Sequence, residues 1–186
     1  MDFDRLTEDA VKMTTSIADG VLRTNFSPAN KIQLLTIAYA RVGRAYATKL
    51  ATDVSTVFGS ENLRINPDFG KFVQIEDLAT KIVRNSAYGI EPEELTRDYY
   101  TNVYARNVEQ AFKNANSLGK RPTITRRLTD KDHCEWCAAR TGTYTADTFS
   151  ELPTEVFRRH LGCKCEITLS GPGGRSRNLN NYVKKG

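Results

Sequence analysis

Cysteine and histidine are the side chains here whose types and spacing point to chemistry, and they are crowded into one stretch. All four Cys lie between positions 134 and 165, as Cys134-x2-Cys137 and Cys163-x-Cys165, with His160 three residues ahead of the second group. Zn²⁺ takes four ligands in a tetrahedron, and Cys-x2-Cys is the spacing at which a tight turn brings two thiolates to one metal. The rest of such a site comes from His160, Cys163 and Cys165, roughly 25 residues downstream, an ordinary separation between the halves of a zinc module. Five candidate ligands thus compete for four positions. On a regular strand Cys163 and Cys165 share a face but stand roughly 7 Å apart. A site of Cys134, Cys137 and His160 completed by one later Cys avoids that span, and a four-cysteine site is the alternative. A metal closed in by four protein ligands is structural rather than catalytic, and iron fits the same donors as zinc. Two disulfides are the competing reading, which a reducing compartment disfavours.

Enzymatic readings of these residues fail on spacing. His133-Cys134-Glu135 matches the His-x-Glu of zinc deaminases, but the later pair is Cys-x-Cys rather than Pro-Cys-x2-Cys, and Cys137 is left without a role. His133 is expected on the surface or behind the ligands. No carboxylate cluster for Mg²⁺, phosphate-cradling glycine loop or nucleophile elbow stands out; Gly171-Pro172-Gly173-Gly174 follows a strand pattern but opens no helix. The chain is therefore expected not to be an enzyme and to have no small-molecule substrate.

The elements that must position the cysteines differ in texture from those before them. Residues 1–119 read as helices. Leu6, Ala10, Met13 and Ile17 suggest an amphipathic helix ending at Gly20, and Ser27-Pro28 starts a second with an apolar stripe from Leu35 to Val57. That helix extends to about Phe58, on the order of 45 Å, with Gly43 as a point where it breaks or bends. Gly59 to Gly70 reads as a loop, Ile75 to Tyr88 as a third helix, and Glu91-Pro92-Glu93-Glu94 opens a fourth. The buried stripe of this fourth helix is Tyr100, Tyr104, Val108, Ala111, Ala115 and Leu118. Its tyrosines fit core packing better than a base-stacking platform. After Gly119 come β-prone runs at Thr123–Leu128, Gly142–Thr145 and Cys165–Leu169, with a helical turn or two expected at Pro153–His160. The predicted class is α+β: a mainly helical N-terminal region (1–119), a small β-rich zinc-binding module (120–170) and a flexible basic tail (171–186). The module's core is small, so metal binding supplies folding free energy.

Charge follows the same division. Of the net +5, residues 120–186 hold 13 Lys/Arg against 7 Asp/Glu. An anionic partner such as DNA would meet Arg126, Arg127, Arg158, Arg159, Arg175 and Arg177 there. Metal-bound thiolates work against this, because four deprotonated Cys carry more charge than one Zn²⁺ cancels. No stretch approaches the roughly 20 apolar residues of a membrane span. The acidic N-terminus lacks a secretory pattern, so a reducing cytosol is the expected compartment, with no membrane partner.

The run Asp132-His133-Cys134-Glu135-Trp136-Cys137 with Gly142, followed by Val156-Phe157-Arg158-Arg159-His160-x2-Cys163-Lys164-Cys165, resembles the C-terminal signature of tailed-phage minor head proteins, the head-morphogenesis family similar to the F protein of phage Mu. The resemblance covers about residues 95–169. It implies a low-copy virion protein of the capsid interior, associated with the phage portal or major capsid protein and assembled in the bacterial cytoplasm. Some relatives carry enzymatic extensions after this domain; ending at Gly186, this chain is expected to have none. A free-standing zinc-stabilised nucleic-acid-binding protein is the rival expectation.

Overall fold

Ser27 and Pro28 start the longest helix as the sequence predicts. Ser27 Oγ accepts the Asn30 backbone N–H at 3.3 Å, and Pro28, whose missing N–H costs nothing in a first turn, opens α2 (Pro28–Val57). The computed structural model describes residues 3–57, 66–128, 135–145, 148, 156, 165–171 and 176–178. Around α2 stand α1 (Phe3–Leu22), α3 (Phe72–Ser86) and α4 (Glu93–Ser117), and α2 packs on all three. Its length serves two clusters. Leu35 and Tyr39 near its start pack with Ile75, Ala79 and Ile82 of α3, whereas Tyr46, Leu50 and Val54 pack with Tyr100, Val103 and Tyr104 of α4.

Gly43 does not break α2, which runs through it without interruption. Its missing Cβ makes room for the Tyr99 hydroxyl, which an added methyl would strike. Tyr99 cannot simply swing away, because that hydroxyl donates to the Phe69 carbonyl at 2.7 Å. Gly43→Ala gains about 1 kcal/mol of helix propensity but overpacks a tethered ring at a cost of about 1–3 kcal/mol. A net loss of about 1 kcal/mol is expected in urea unfolding, and a stabilised variant would refute this packing account.

α1 buries part of the face its apolar periodicity predicts: Ala10 is in the core and Leu6 packs against it, but the second half of the stripe turns outward. Met13 is 57% exposed and Ile17 is 36% exposed, while Thr7, Ala10, Val11, Thr14 and Ala18 are buried. The threonines face inward because each finds a tyrosine: Thr7 Oγ1 bonds Tyr46 Oη at 2.8 Å and Thr14 Oγ1 bonds Tyr100 Oη at 2.6 Å. A hydroxyl so paired loses little on burial. Arg97 of α4 fastens the same helix, donating to Glu8 at 2.9 Å and to Glu93 at 2.6 Å. Burial pulls its pKa down, but the bonds to the two carboxylates outweigh that and leave it raised.

α4 buries Tyr100, Tyr104, Val108, Ala111 and Ala115, so these tyrosines pack in the core and offer no stacking platform. Leu118 departs from the stripe and is 52% exposed, because the helix has ended: Gly119 takes φ +68° and Lys120 N–H reaches back to the Ala115 carbonyl at 3.0 Å. The chain then enters an antiparallel sheet of order β2-β1-β3-β4, formed by β1 (Thr123–Arg127), β2 (Gly142–Thr145), β3 (Glu166–Ser170) and β4 (Ser176–Asn178). β4 pairs with β3, so Ser176–Asn178, within the segment expected as a flexible tail, forms a strand. Ile124, Ile167 and Leu169 of the sheet share one cluster with Val108, Ala111, Phe112 and Ala115 of α4. Helices and sheet thus share a core, and the sheet is supported at one end by α4. Among the described residues no helix is long and apolar enough to cross a membrane.

Candidate metal centre

The strand period decides what faces the core. In β1, Ile124 and Arg126 are buried while Thr123, Thr125 and Arg127 are not, and in β3 the buried pair is Ile167 and Leu169. Register sets Ile124 opposite Leu169 and Arg126 opposite Ile167. Cys165, one residue ahead of β3, keeps the parity of Ile167 and is 2% exposed. It therefore continues the buried row beyond the part that α4 covers.

A short helix meets this row. After the residues that carry Cys134, α5 (Glu135–Ala138) brings in Cys137, which is 3% exposed. Cys137 and Cys165, distant in sequence, form one buried cluster with Leu128 and Trp136 packed against it. No disulfide links the two. The turn out of α5 is tied by Ala139 N–H to Glu135 O at 3.0 Å and by Arg140 N–H to Cys137 O at 3.1 Å. Gly142 then starts β2 at φ +147°, a backbone state that L side chains rarely adopt.

Two arginines close the cluster. Arg126 is 1% exposed, and its guanidinium donates to the Val156 carbonyl at 2.9 Å and to Cys137 Sγ at 3.8 Å. It also lies 5.1 Å from the Trp136 ring centroid. Arg140 stacks on the same ring at 3.9 Å and donates to the Trp136 carbonyl at 2.9 Å. Tyr144 of β2 in turn donates to the Arg140 carbonyl at 3.2 Å.

Of the five predicted ligands, the structure brings Cys137 and Cys165 together; Cys134, His160 and Cys163 lie outside the described residues. Among the described residues no group of three His, Cys, Asp or Glu gathers as a metal site. No family model, curated protein or solved structure matches the chain. Glu135, which a deaminase would aim into its metal site, is exposed on α5. Arg126, a candidate phosphate contact in the sequence, is an interior residue here, 1% exposed. Arg127 is exposed, Arg177 lies in β4, and Arg158, Arg159 and Arg175 fall outside the described residues, as do most of Pro153–His160. Sequence reasoning missed Arg126 and Trp136 as parts of the site. The signal for Arg126 was its two-residue step from Ile124 within a β-prone run.

Elsewhere a cleft of about 390 Å³ opens between α3 and α4, lined by Asp77, Lys81, Asp98 and Arg106 among others. Arg106 there is paired with Asp68 at 3.1 Å. The cleft shares no residue with the cysteine cluster.

Proposed function

We propose that this chain is a non-enzymatic minor structural protein of a tailed-phage head, with its C-terminal sheet closed by a structural zinc ion. The observation that carries the reading is the convergence of Cys137 and Cys165 into one buried cluster beside a guanidinium. Two thiols with this arrangement suit thiolate ligation, and two of the three further donors in the sequence, Cys134, His160 and Cys163, would complete the tetrahedron. When bound, the metal would supply a cross-link between the turn at α5 and the strand at β3. Zinc here staples, and protein surfaces do the work.

The order of cysteines, Gly142 and His160 supports the minor-head reading through its resemblance to that family. Exposed Met13, Ile17, Leu34 and Ile37 on α1 and α2, together with Phe72 and Val73 at the start of α3, offer apolar surface suited to a portal or capsid partner. The proposed setting is the capsid interior, reached by assembly in the bacterial cytoplasm.

The basic excess of residues 120–186 favours a second reading, direct binding to DNA. Salt separates the two. Phosphate contacts predict duplex affinity falling by orders of magnitude between about 50 and 200 mM salt, while apolar docking on a portal or capsid subunit responds weakly. We expect weak duplex binding, because Arg126 is buried. Tight, steeply salt-dependent duplex binding without retention by portal or capsid protein would overturn the head-protein reading.

A further inference from the structure

The polar bonds that hold α1 to the other helices share a form. Arg97 of α4 reaches across to Glu8 of α1 at 2.9 Å, but it also donates to Glu93 of its own helix at 2.6 Å. Glu8 in turn has Lys12 of α1 beside it at 3.9 Å. Thr14 Oγ1 meets Tyr100 Oη across the interface at 2.6 Å and donates to the Ala10 carbonyl, one turn back in α1, at 2.8 Å. Each of these three groups, Arg97, Glu8 and Thr14, therefore keeps a partner on its own side when α1 moves away. We propose that α1 is a releasable arm, which leaves the bundle as a unit while α2, α3 and α4 stay folded.

Two costs ordinarily oppose the separation of packed helices: stranded polar groups and exposed apolar surface. The retained partners lessen the first, and the Tyr100 hydroxyl turns to water on the face that α1 vacates. The second is small because the buried side chains described in α1 are Thr7, Ala10, Val11, Thr14 and Ala18, none larger than valine. Leu6, Val21 and Leu22 are only half-buried at its two ends, and Met13 and Ile17 lie on its outer side. α4, by contrast, buries Tyr100, Tyr104 and Phe112. Segments with few buried apolar contacts open at a lower free energy than the whole fold. Residues 23–27, between α1 and α2, provide the hinge.

Native-state hydrogen exchange of the full chain in rising urea, followed amide by amide by NMR, tests this. The amides of residues 11–18 are expected to share one opening and to be at least about 100-fold less protected than the core amides of α4. Glu8→Gln weakens the bond that crosses the interface, so it should speed exchange in α1 by a further factor of about 3 to 10 and leave α2, α3 and α4 unchanged. Glu93→Gln removes a bond that is present whether α1 is docked or released, so it should not speed α1. Exchange of α1 only together with α2, α3 and α4, through global unfolding, would overturn the proposal. A graded loss of protection along α1 in place of one shared opening would do the same, as would equal effects of the two substitutions, or none from Glu8→Gln.

Discussion

On the proposed zinc reading, Cys137→Ser is expected to abolish metal binding and loosen α5 and β2 while leaving α1 to α4 folded. Structural zinc sites contribute apparent binding free energies of about 10–16 kcal/mol in small peptides, comparable to the whole stability of a domain. The sheet is held differently at its two ends. Ile124, Ile167 and Leu169 share a cluster with α4, whereas Cys137 and Cys165, with Leu128 and Trp136 packed against them, form a separate one. Losing one ligand should therefore open the second end and spare the first. Trp136 is the chain's only tryptophan and sits in this cluster, so its fluorescence reports the site alone. A red-shifted emission and lost amide protection over α5 and β2 are expected, and a chelator should produce the same change in the wild type. Wild-type fluorescence and protection in the variant would mean that Cys137 is an ordinary core residue.

Tyr100→Ala should cost about 3–5 kcal/mol, the range for deleting a large buried ring. Tyr100 is fully buried, bonds Thr14, and packs edge-on against Tyr46 at 5.2 Å and Tyr99 at 5.0 Å between ring centroids. Tyr99 continues the contact to Tyr39 at 5.7 Å, and Tyr39 bonds Thr96. Tyr100→Phe keeps the rings and removes one hydroxyl, so about 1 kcal/mol is expected for it. Equal losses in the two variants, measured by urea unfolding, would contradict the dominance of ring packing.

The same set predicts how the fold responds to base. Burial raises Tyr39 to about 12 despite its hydrogen bond to Thr96, and burial also raises Tyr99 and Tyr100. An unfolded tyrosine ionises near pH 10. Above that pH the unfolded chain holds fewer protons than the folded one, so stability present below about pH 10 drains away as pH rises toward and past 12. Phenolate absorbance should accordingly appear in two stages, exposed tyrosines first and the buried set only with unfolding.

Much of the fold was legible because local signals and tertiary demands agreed. Ser27-Pro28 marked the start of α2, Gly119 the end of α4, and β-prone runs marked three of the four strands. α1 was misread where they disagreed. Thr7 and Thr14 occupy its inner face because tyrosines from other helices satisfy them, and no local pattern announces a partner 39 or 86 residues away. Met13 and Ile17 looked like core for the same reason. β4 was hidden because a short edge strand in a Gly- and Asn-rich segment depends on pairing with β3 rather than on propensity. In the candidate site, cysteine spacing pointed to Cys137 and Cys165. Arg126 was taken for surface because charge is ordinarily read as exposure, although its parity with Ile124 already placed it inward.

Metal content per chain, measured by elemental analysis on protein purified without chelator and paired with a thiol count in denaturant, tests the central claim most directly. The account predicts about one zinc, or iron, per chain together with all four cysteines of the sequence as titratable thiols. A chain with no bound metal would contradict it, and missing thiols as well would point to disulfides in place of a metal-closed sheet.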